Sequence, residues 1–71
     1  MLARIHVHAD WAAALVRALA AADCVSVLRG EGMLDVLMPP LIDFEQARDE
    51  LAFFLEAWSL DHPLADVRLG R

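Results

Sequence analysis

The sequence is poor in several residue types, and each shortage excludes a class of protein. It has a single cysteine, Cys24, which allows no internal disulfide and no cysteine-rich metal site. Its three glycines and three prolines lie between periodic segments, a pattern that is typical of a globular chain and excludes a linker or a disordered tail. No apolar run approaches the ~20 residues that a transmembrane helix needs.

Basic residues are scarce as well, since six Lys+Arg stand against eleven Asp+Glu and the formal net charge is −5. Nucleic-acid binding normally requires a basic surface, and an acidic balance also disfavours anionic membranes. Residues 1–6 lack the charged start and long apolar centre of a signal peptide. We therefore expect a cytoplasmic protein that binds neither nucleic acid nor membranes.

Apolar residues, by contrast, are abundant and make up 59% of the 71 residues. A chain of this length forms one domain, residues 1–71, and buries only about 60–65% of its unfolded surface. The apolar content exceeds what so small a domain can hide, so we expect a homo-oligomer or a protein partner. The high content of Ala, Leu, Asp and Arg favours a bacterial origin with a GC-rich genome.

Alternation of apolar and polar residues predicts four strands, at residues 2–8, 24–28, 33–38 and 64–69. A hairpin loop over residues 29–32 joins the second strand to the third. The third strand is apolar on both faces except at Asp35, and Pro39-Pro40 ends it because proline donates no ladder hydrogen bond.

Two helices are predicted between these strands. Residues 11–22 are rich in alanine and leucine and follow Asp10, which is placed at the N-cap. The second helix begins at Asp43, with Gln46 three residues later, and runs to about Leu60. Its inner stripe repeats at spacings of three and four and consists of Phe44, Ala47, Leu51, Phe54, Leu55 and Trp58.

The order strand–helix–strand–strand–helix–strand fits an α+β fold, the ferredoxin-like split βαβ sandwich. Right-handed crossovers, and the need to cover the apolar stripe of each helix, predict a four-stranded antiparallel sheet of order 4-1-3-2. Both helices then lie on one face of the sheet. The other face, which we call the open face, is left without a covering layer.

Polar side chains of three strands are expected on this open face. Arg4, His6 and His8 alternate along the first strand and share a face, with Asp35 on one neighbouring strand and Arg68 on the other. Imidazole binds transition metals, but two histidines fall short of the three or four ligands that a site needs, so we expect no metal and no cofactor. The residues are either ordinary solvated side chains or a His–Asp pairing that makes association pH-sensitive near ~6.5.

Exposed apolar residues indicate where a partner would bind. Phe53 and Leu60 lie nearly opposite the inner stripe of the second helix, with Ala57 between them. Such a row is more typical of an interface than isolated exposed apolar residues are. With Met33 and Leu37 of the third strand, these residues form the predicted interface set.

Catalytic signatures are missing from the sequence. It contains no serine-centred nucleophile elbow and no phosphate loop, and neither Ser26 nor Ser59 has a catalytic context. Nothing places Asp10 and Asp35 within reach of each other as an acid and a base. We therefore expect no catalytic residue and a protein that is not an enzyme.

The order and size of the elements resemble ACT-like and related ferredoxin-like small domains over nearly the whole chain. ACT domains often carry an Asp followed by Pro-Gly at the first strand-to-helix turn, where an amino-acid effector binds across a dimer. Asp10 stands at the matching place, and Trp11-Ala12 replaces the Pro-Gly. The resemblance implies a regulatory domain that acts as a homodimer.

The function expected from the sequence is therefore interaction or regulation, as a homodimer or docked on a partner. The alternative is a small-ligand or metal-binding module on the open face. Its candidate ligand-binding residues are His6, His8, Asp10, Asp35 and Arg68.

Overall fold

The computed structural model of the protein describes residues 2–38 and 43–70. Its strands and helices, in chain order, are β1 (Leu2–His6), α1 (Ala12–Ala21), β2 (Ser26–Gly30), β3 (Met33–Leu37), α2 (Phe44–Asp61) and β4 (Arg68–Leu69). All pairings are antiparallel and the strand order is β2-β3-β1-β4. The α+β fold and the strand order predicted from the sequence are confirmed. The predicted end of the third strand at Pro39-Pro40 lies outside the described residues.

The hydrophobic core lies between one face of the sheet and the two helices. α1 contributes Leu15 and Leu19 to it, and α2 contributes Leu51 and Leu55. The largest side chains that are completely buried are Ile5, Leu15, Leu19, Leu34 and Val36. Fully burying a side chain of this size contributes roughly 1.5–3 kcal/mol. Because both helices cover the same face, the open face of the sheet carries no layer from the described part of the chain.

The exit from α1 places β2 two residues later than the predicted strand at 24–28. Asp23 has a left-handed backbone, with φ 61°, and the Cys24 amide donates to the Leu19 carbonyl over 2.8 Å. The Asp23 amide donates to Ala20 over 3.0 Å, which completes a Schellman-type cap. Cys24 is therefore part of the helix cap, and the strand begins only at Ser26. Its thiol is free and half-buried.

The hairpin between β2 and β3 is tighter than the predicted loop at 29–32. Arg29 and Gly30 belong to β2, which contains a bulge between Leu28 and Gly30, and only Glu31 and Gly32 form the turn. A bulge inserts one extra residue and redirects a side chain. Here the extra residue is Arg29, and its side chain reaches the centre of the open face.

The last strand is much shorter than the predicted segment at 64–69. Pro63 begins a single turn of 3-10 helix, Pro63–Ala65, in agreement with the preference of proline for the first turn of a helix. Asp66 then takes a left-handed backbone, with φ 51°. The chain rejoins the sheet only at Arg68–Leu69, which pairs with β1.

The end of α2 is packed against the start of α1 by aromatic rings. The imidazole of His62 stacks on Trp58, with ring centroids 4.2 Å apart, and meets Trp11 edge-on at 5.3 Å. Its Nδ1 lies 2.9 Å from the Trp58 carbonyl oxygen. Such ring pairs stabilise a fold by about 0.5–1.5 kcal/mol beyond their area. His62 is therefore a structural residue that links the two helices.

Candidate functional site

The register of the sheet decides which side chains share the open face. Arg4 of β1 lies opposite Asp35 of β3, and Val27 of β2 lies opposite Asp35 on the other side. Residues that lie directly opposite each other in antiparallel strands share a face. The open face therefore carries Leu2, Arg4, His6, Val27, Arg29, Met33, Asp35, Leu37 and Arg68.

The middle of the open face is an ionic cluster of Arg4, Asp35 and Arg29, which we call the Arg–Asp–Arg centre. The Nε of Arg4 donates to one carboxylate oxygen of Asp35 over 2.9 Å, and an Nη of Arg4 donates to the other over 3.4 Å. The Nε of Arg29 donates to that second oxygen over 3.0 Å. The Asp35 side chain is only 5% exposed because these two half-exposed arginines cover it.

The two arginines set the protonation of Asp35. The hydrogen bond from Arg4 lowers the pKa of the carboxyl below its ordinary value of 3.8, and the hydrogen bond and charge of Arg29 act in the same direction. Desolvation of the carboxylate opposes them. The same hydrogen bond raises the pKa of Arg4. The centre is therefore a fully ionised carboxylate between two cations at neutral pH.

Stability at acid pH is expected to depend on this carboxylate. Because the pKa of this carboxyl is lower in the folded state, the unfolded chain binds the proton first as the pH drops. The free energy of unfolding therefore falls as the pH decreases from the ordinary pKa of 3.8 through the folded-state pKa. Above the ordinary pKa the contribution is complete. The free energy of unfolding, measured by denaturant titration between about pH 2 and pH 6, is expected to decline less steeply in Asp35→Asn than in the parent chain.

An exposed glutamate provides the control for this measurement. Glu31→Gln removes a carboxylate in the turn between β2 and β3, at a solvent-exposed position. It is expected to leave the slope of stability against pH unchanged. Equal slopes for Asp35→Asn and the parent chain would contradict the role given to the Arg–Asp–Arg centre.

Apolar side chains flank the centre on one side. Leu2 lies opposite Leu37, and Val27 lies opposite Asp35. Val25 lies just before β2, two residues before Val27, and its carbonyl accepts from the Leu37 amide over 2.8 Å. These four large apolar side chains are all exposed to solvent. We call Leu2, Val25, Val27 and Leu37 the apolar patch.

The predicted polar cluster divides into two groups. Arg4 and Asp35 meet as their shared face requires, but Arg68 pairs with Asp66, its Nη 3.4 Å from the carboxylate. His6 lies opposite Arg68, and His8 lies beyond the end of β1. His6 and His8 line one shallow surface depression with Arg68 and Asp66. The expected pairing of a histidine with Asp35 is wrong, since the hydrogen bonds of that carboxylate come from arginines.

The prediction that Asp10 caps the first helix is also wrong. Asp10 lies inside a single 3-10 turn, Ala9–Trp11, whose N-cap is His8. The Nδ1 of His8 accepts from the Asp10 amide over 3.2 Å, and α1 begins after Trp11 with no side-chain cap. The histidine takes the capping role because the helical turn begins at Ala9, so its N-cap is two residues before the aspartate. The Asp10 carboxylate is exposed, 3.8 Å from His8.

The remaining predicted residues lie at exposed or half-buried positions. Met33 is half-buried and Leu37 is exposed, both on the open face. Phe53, Ala57 and Leu60 are all exposed on α2. Their role in an interface stays a prediction.

One residue of the centre, Arg29, was missed by the sequence reasoning, which placed it in the hairpin loop. The sequence does offer a signal for it, because Arg29 follows Val27 by two residues and alternation along an extended β2 places both on one face.

The structure offers no ligand set for a metal ion within residues 2–38 and 43–70. No three His, Cys, Asp or Glu side chains come together there. No helix in the same ranges is both long and apolar enough to cross a membrane. No protein-family model, curated protein or solved structure matches the chain.

Proposed function

We propose that this chain is a non-catalytic interaction domain that forms a homodimer by packing its open face against that of a second copy. The observation that carries the proposal is the apolar patch, four exposed aliphatic side chains on a sheet face without a covering layer. Contiguous exposed apolar residues with polar neighbours are typical of interaction sites.

The Arg–Asp–Arg centre supports the proposal because its one carboxylate is already paired with two arginines. A buried carboxylate without partners would oppose association strongly, but Asp35 accepts three hydrogen bonds within its own chain. The centre can therefore enter an interface without leaving this carboxylate unpaired. Its fixed geometry also favours one register of the two sheets over others.

The size of the face sets the expected strength of the dimer. Three strands of five residues and one strand of two make a face about 17 Å long, with a flat area of roughly 280 Å². Stable complexes bury about 800 Å² of accessible surface on each partner. Protruding side chains give the open face more accessible surface than its flat area, but the total does not exceed that value. We expect a reversible dimer with a dissociation constant in the micromolar range.

The test is the mass of the chain in solution, measured by light scattering after gel filtration at roughly 10 and 500 µM, which bracket that range. A rise from monomer to dimer mass is the expected result. A monomer at both concentrations would overturn the proposal. That outcome would turn attention to the alternative, a small ligand in the depression beside His6, His8 and Arg68.

A further inference from the structure

A second surface of the molecule is the outer face of α2, which no described residue covers. Its members are all the exposed residues of the helix: Glu45, Gln46, Asp49, Glu50, Phe53, Glu56, Ala57, Leu60 and Asp61. At about 100° per residue they occupy a continuous arc of roughly 160°. The opposite side of the helix carries the buried residues Ala47, Leu51 and Leu55.

The apolar members of this face follow the spacing of a two-helix seam. Phe53, Ala57 and Leu60 are separated by four and then three residues, the repeat at which side chains line one side of a helix. Phe53 is 76% exposed and Leu60 is 79% exposed. Two large apolar side chains that are left so fully in water define an unpartnered ridge.

Acidic residues border the ridge on both sides. Glu56 immediately precedes Ala57 on one flank, where Asp49 lies one heptad earlier, and Asp61 immediately follows Leu60 on the other. These are the positions whose charges select the partner helix in a coiled coil. The one basic residue of α2, Arg48, is half-buried and donates to the Gly70 carbonyl over 3.0 Å. The outer face therefore carries negative charge alone.

We propose that the outer face of α2 binds a basic amphipathic helix of another protein. Apolar residues of that helix pack on the ridge of Phe53, Ala57 and Leu60, and its Lys or Arg residues pair with the flanking carboxylates. A second copy of α2 does not fit, because the same arrangement would place acid against acid, and like charges across an interface oppose association.

The test uses a synthetic peptide of about three heptads with leucine at a and d and lysine at e and g. Its binding to the full chain is measured by fluorescence anisotropy of a labelled peptide. The double variant Phe53→Ser/Leu60→Ser is expected to bind the peptide at least tenfold more weakly, as loss of two anchors from a small apolar seam implies. The same peptide with glutamate at e and g is expected not to bind.

Two controls separate this seam from general attraction to an acidic chain. Leu28→Ser changes an exposed leucine on β2, away from both α2 and the open face, and should leave binding unchanged. Thermal unfolding of the double variant should match the parent, since both replaced side chains are mostly in water. Equal peptide binding by the parent and the double variant would overturn the proposal.

Crosslinking locates the peptide directly. A carbodiimide joins a lysine amine to a carboxylate as an amide, and this chain contains no lysine, so every lysine amine in a crosslink comes from the peptide. The expected attachment sites are Asp49, Glu56 and Asp61. Attachment scattered over carboxylates elsewhere, such as Asp23 and Glu31, would overturn the proposal.

The outcome is independent of the proposed dimer, because the open face and the outer face of α2 lie on different sides of the molecule. Changes on the open face should leave peptide binding intact. If Phe53→Ser/Leu60→Ser instead abolished self-association of the chain, the surface would belong to a second copy and the proposed partner would be wrong.

Discussion

Replacing Gly32 with alanine is expected to destabilise the protein by about 3 kcal/mol or more, a large share of the roughly 4–11 kcal/mol that a chain of this length has. Gly32 has a left-handed backbone, with φ +74°. A Cβ at this position would lie 2.1 Å from the Val7 carbonyl oxygen. The obstacle is backbone, so no side chain can move aside, and the hairpin would have to shift away from β1.

That shift would also break a hydrogen bond between the hairpin and the first strand. The Val7 amide donates to the Gly32 carbonyl over 2.8 Å, directly after β1 ends. Losing it leaves a backbone donor without its partner, which adds roughly 1–3 kcal/mol if the group stays buried. The effect of the methyl group therefore extends beyond the turn to the pairing of β1 with β3.

The matched control is Gly30→Ala, two residues earlier in the same hairpin. A Cβ on Gly30 meets nothing within 4 Å, and its φ lies outside the left-handed region. We expect its free energy of unfolding to stay within about 0.5 kcal/mol of the parent value. Denaturant titration of both variants makes the comparison. Equal midpoints for the two variants would contradict the steric argument.

The sequence was sufficient to predict the architecture because the sheet has one buried face. In β1 and the residue after it, Ala3, Ile5 and Val7 are buried while their neighbours are exposed. A slip of one residue would move this whole set into water, so alternation specifies the register strongly. The same reasoning placed Arg4 and Asp35 on one face, and the structure joins them.

The ends of the elements escaped prediction because short-range hydrogen bonds decide them. His8 caps the turn before α1, although the N-cap preference predicted Asp10 in that role. Asp23, with its left-handed backbone, forms part of the cap at the end of α1, so β2 begins later than predicted. Ser, Thr, Asn and Asp residues cap helices more often than His does, so pattern alone favours the wrong residue. The alternative turns differ from one another by small free energies, so the packing of the surrounding residues decides which one forms.

The candidate site was predicted only in part for the same reason. Arg29 shares the open face with Val27, two residues earlier, but the predicted strand ended at Leu28 and left Arg29 in the loop. Arg68 was placed on the other neighbour of the first strand, and it lies opposite His6; its ion pair with Asp66, which the left-handed turn before β4 brings beside it, was not predicted. Alternation assigns a side chain to a face of the sheet, but it determines neither where a strand ends nor which ion pairs its residues form.

Replacing Leu37 with lysine is expected to weaken self-association of the chain at least a hundredfold, equivalent to about 2.7 kcal/mol. Leu37 lies in the apolar patch opposite Leu2 and is 54% exposed. Association would remove the new ammonium from water, and the one carboxylate of the Arg–Asp–Arg centre is already occupied by two arginines. A buried charge without a partner strongly opposes binding.

A leucine of the same exposure on the opposite side of the sheet provides the control. Leu28 is 53% exposed and lies opposite the buried Leu34, so Leu28→Lys adds the same charge to a different surface. Sedimentation equilibrium over a concentration series gives the dissociation constant of each variant. We expect the parent value for Leu28→Lys. Loss of the dimer in both variants would assign the effect to net charge.

Salt distinguishes the two ways in which a lysine at position 37 can act. Repulsion between charges on two copies is screened at about 1 M salt, where the Debye length falls to about 3 Å. The desolvation of an ammonium inside the interface is not removed by salt. If high salt leaves Leu37→Lys monomeric, the open face is buried in the dimer. If high salt restores the dimer, Leu37 lies near the interface without entering it, and the apolar patch is not its core.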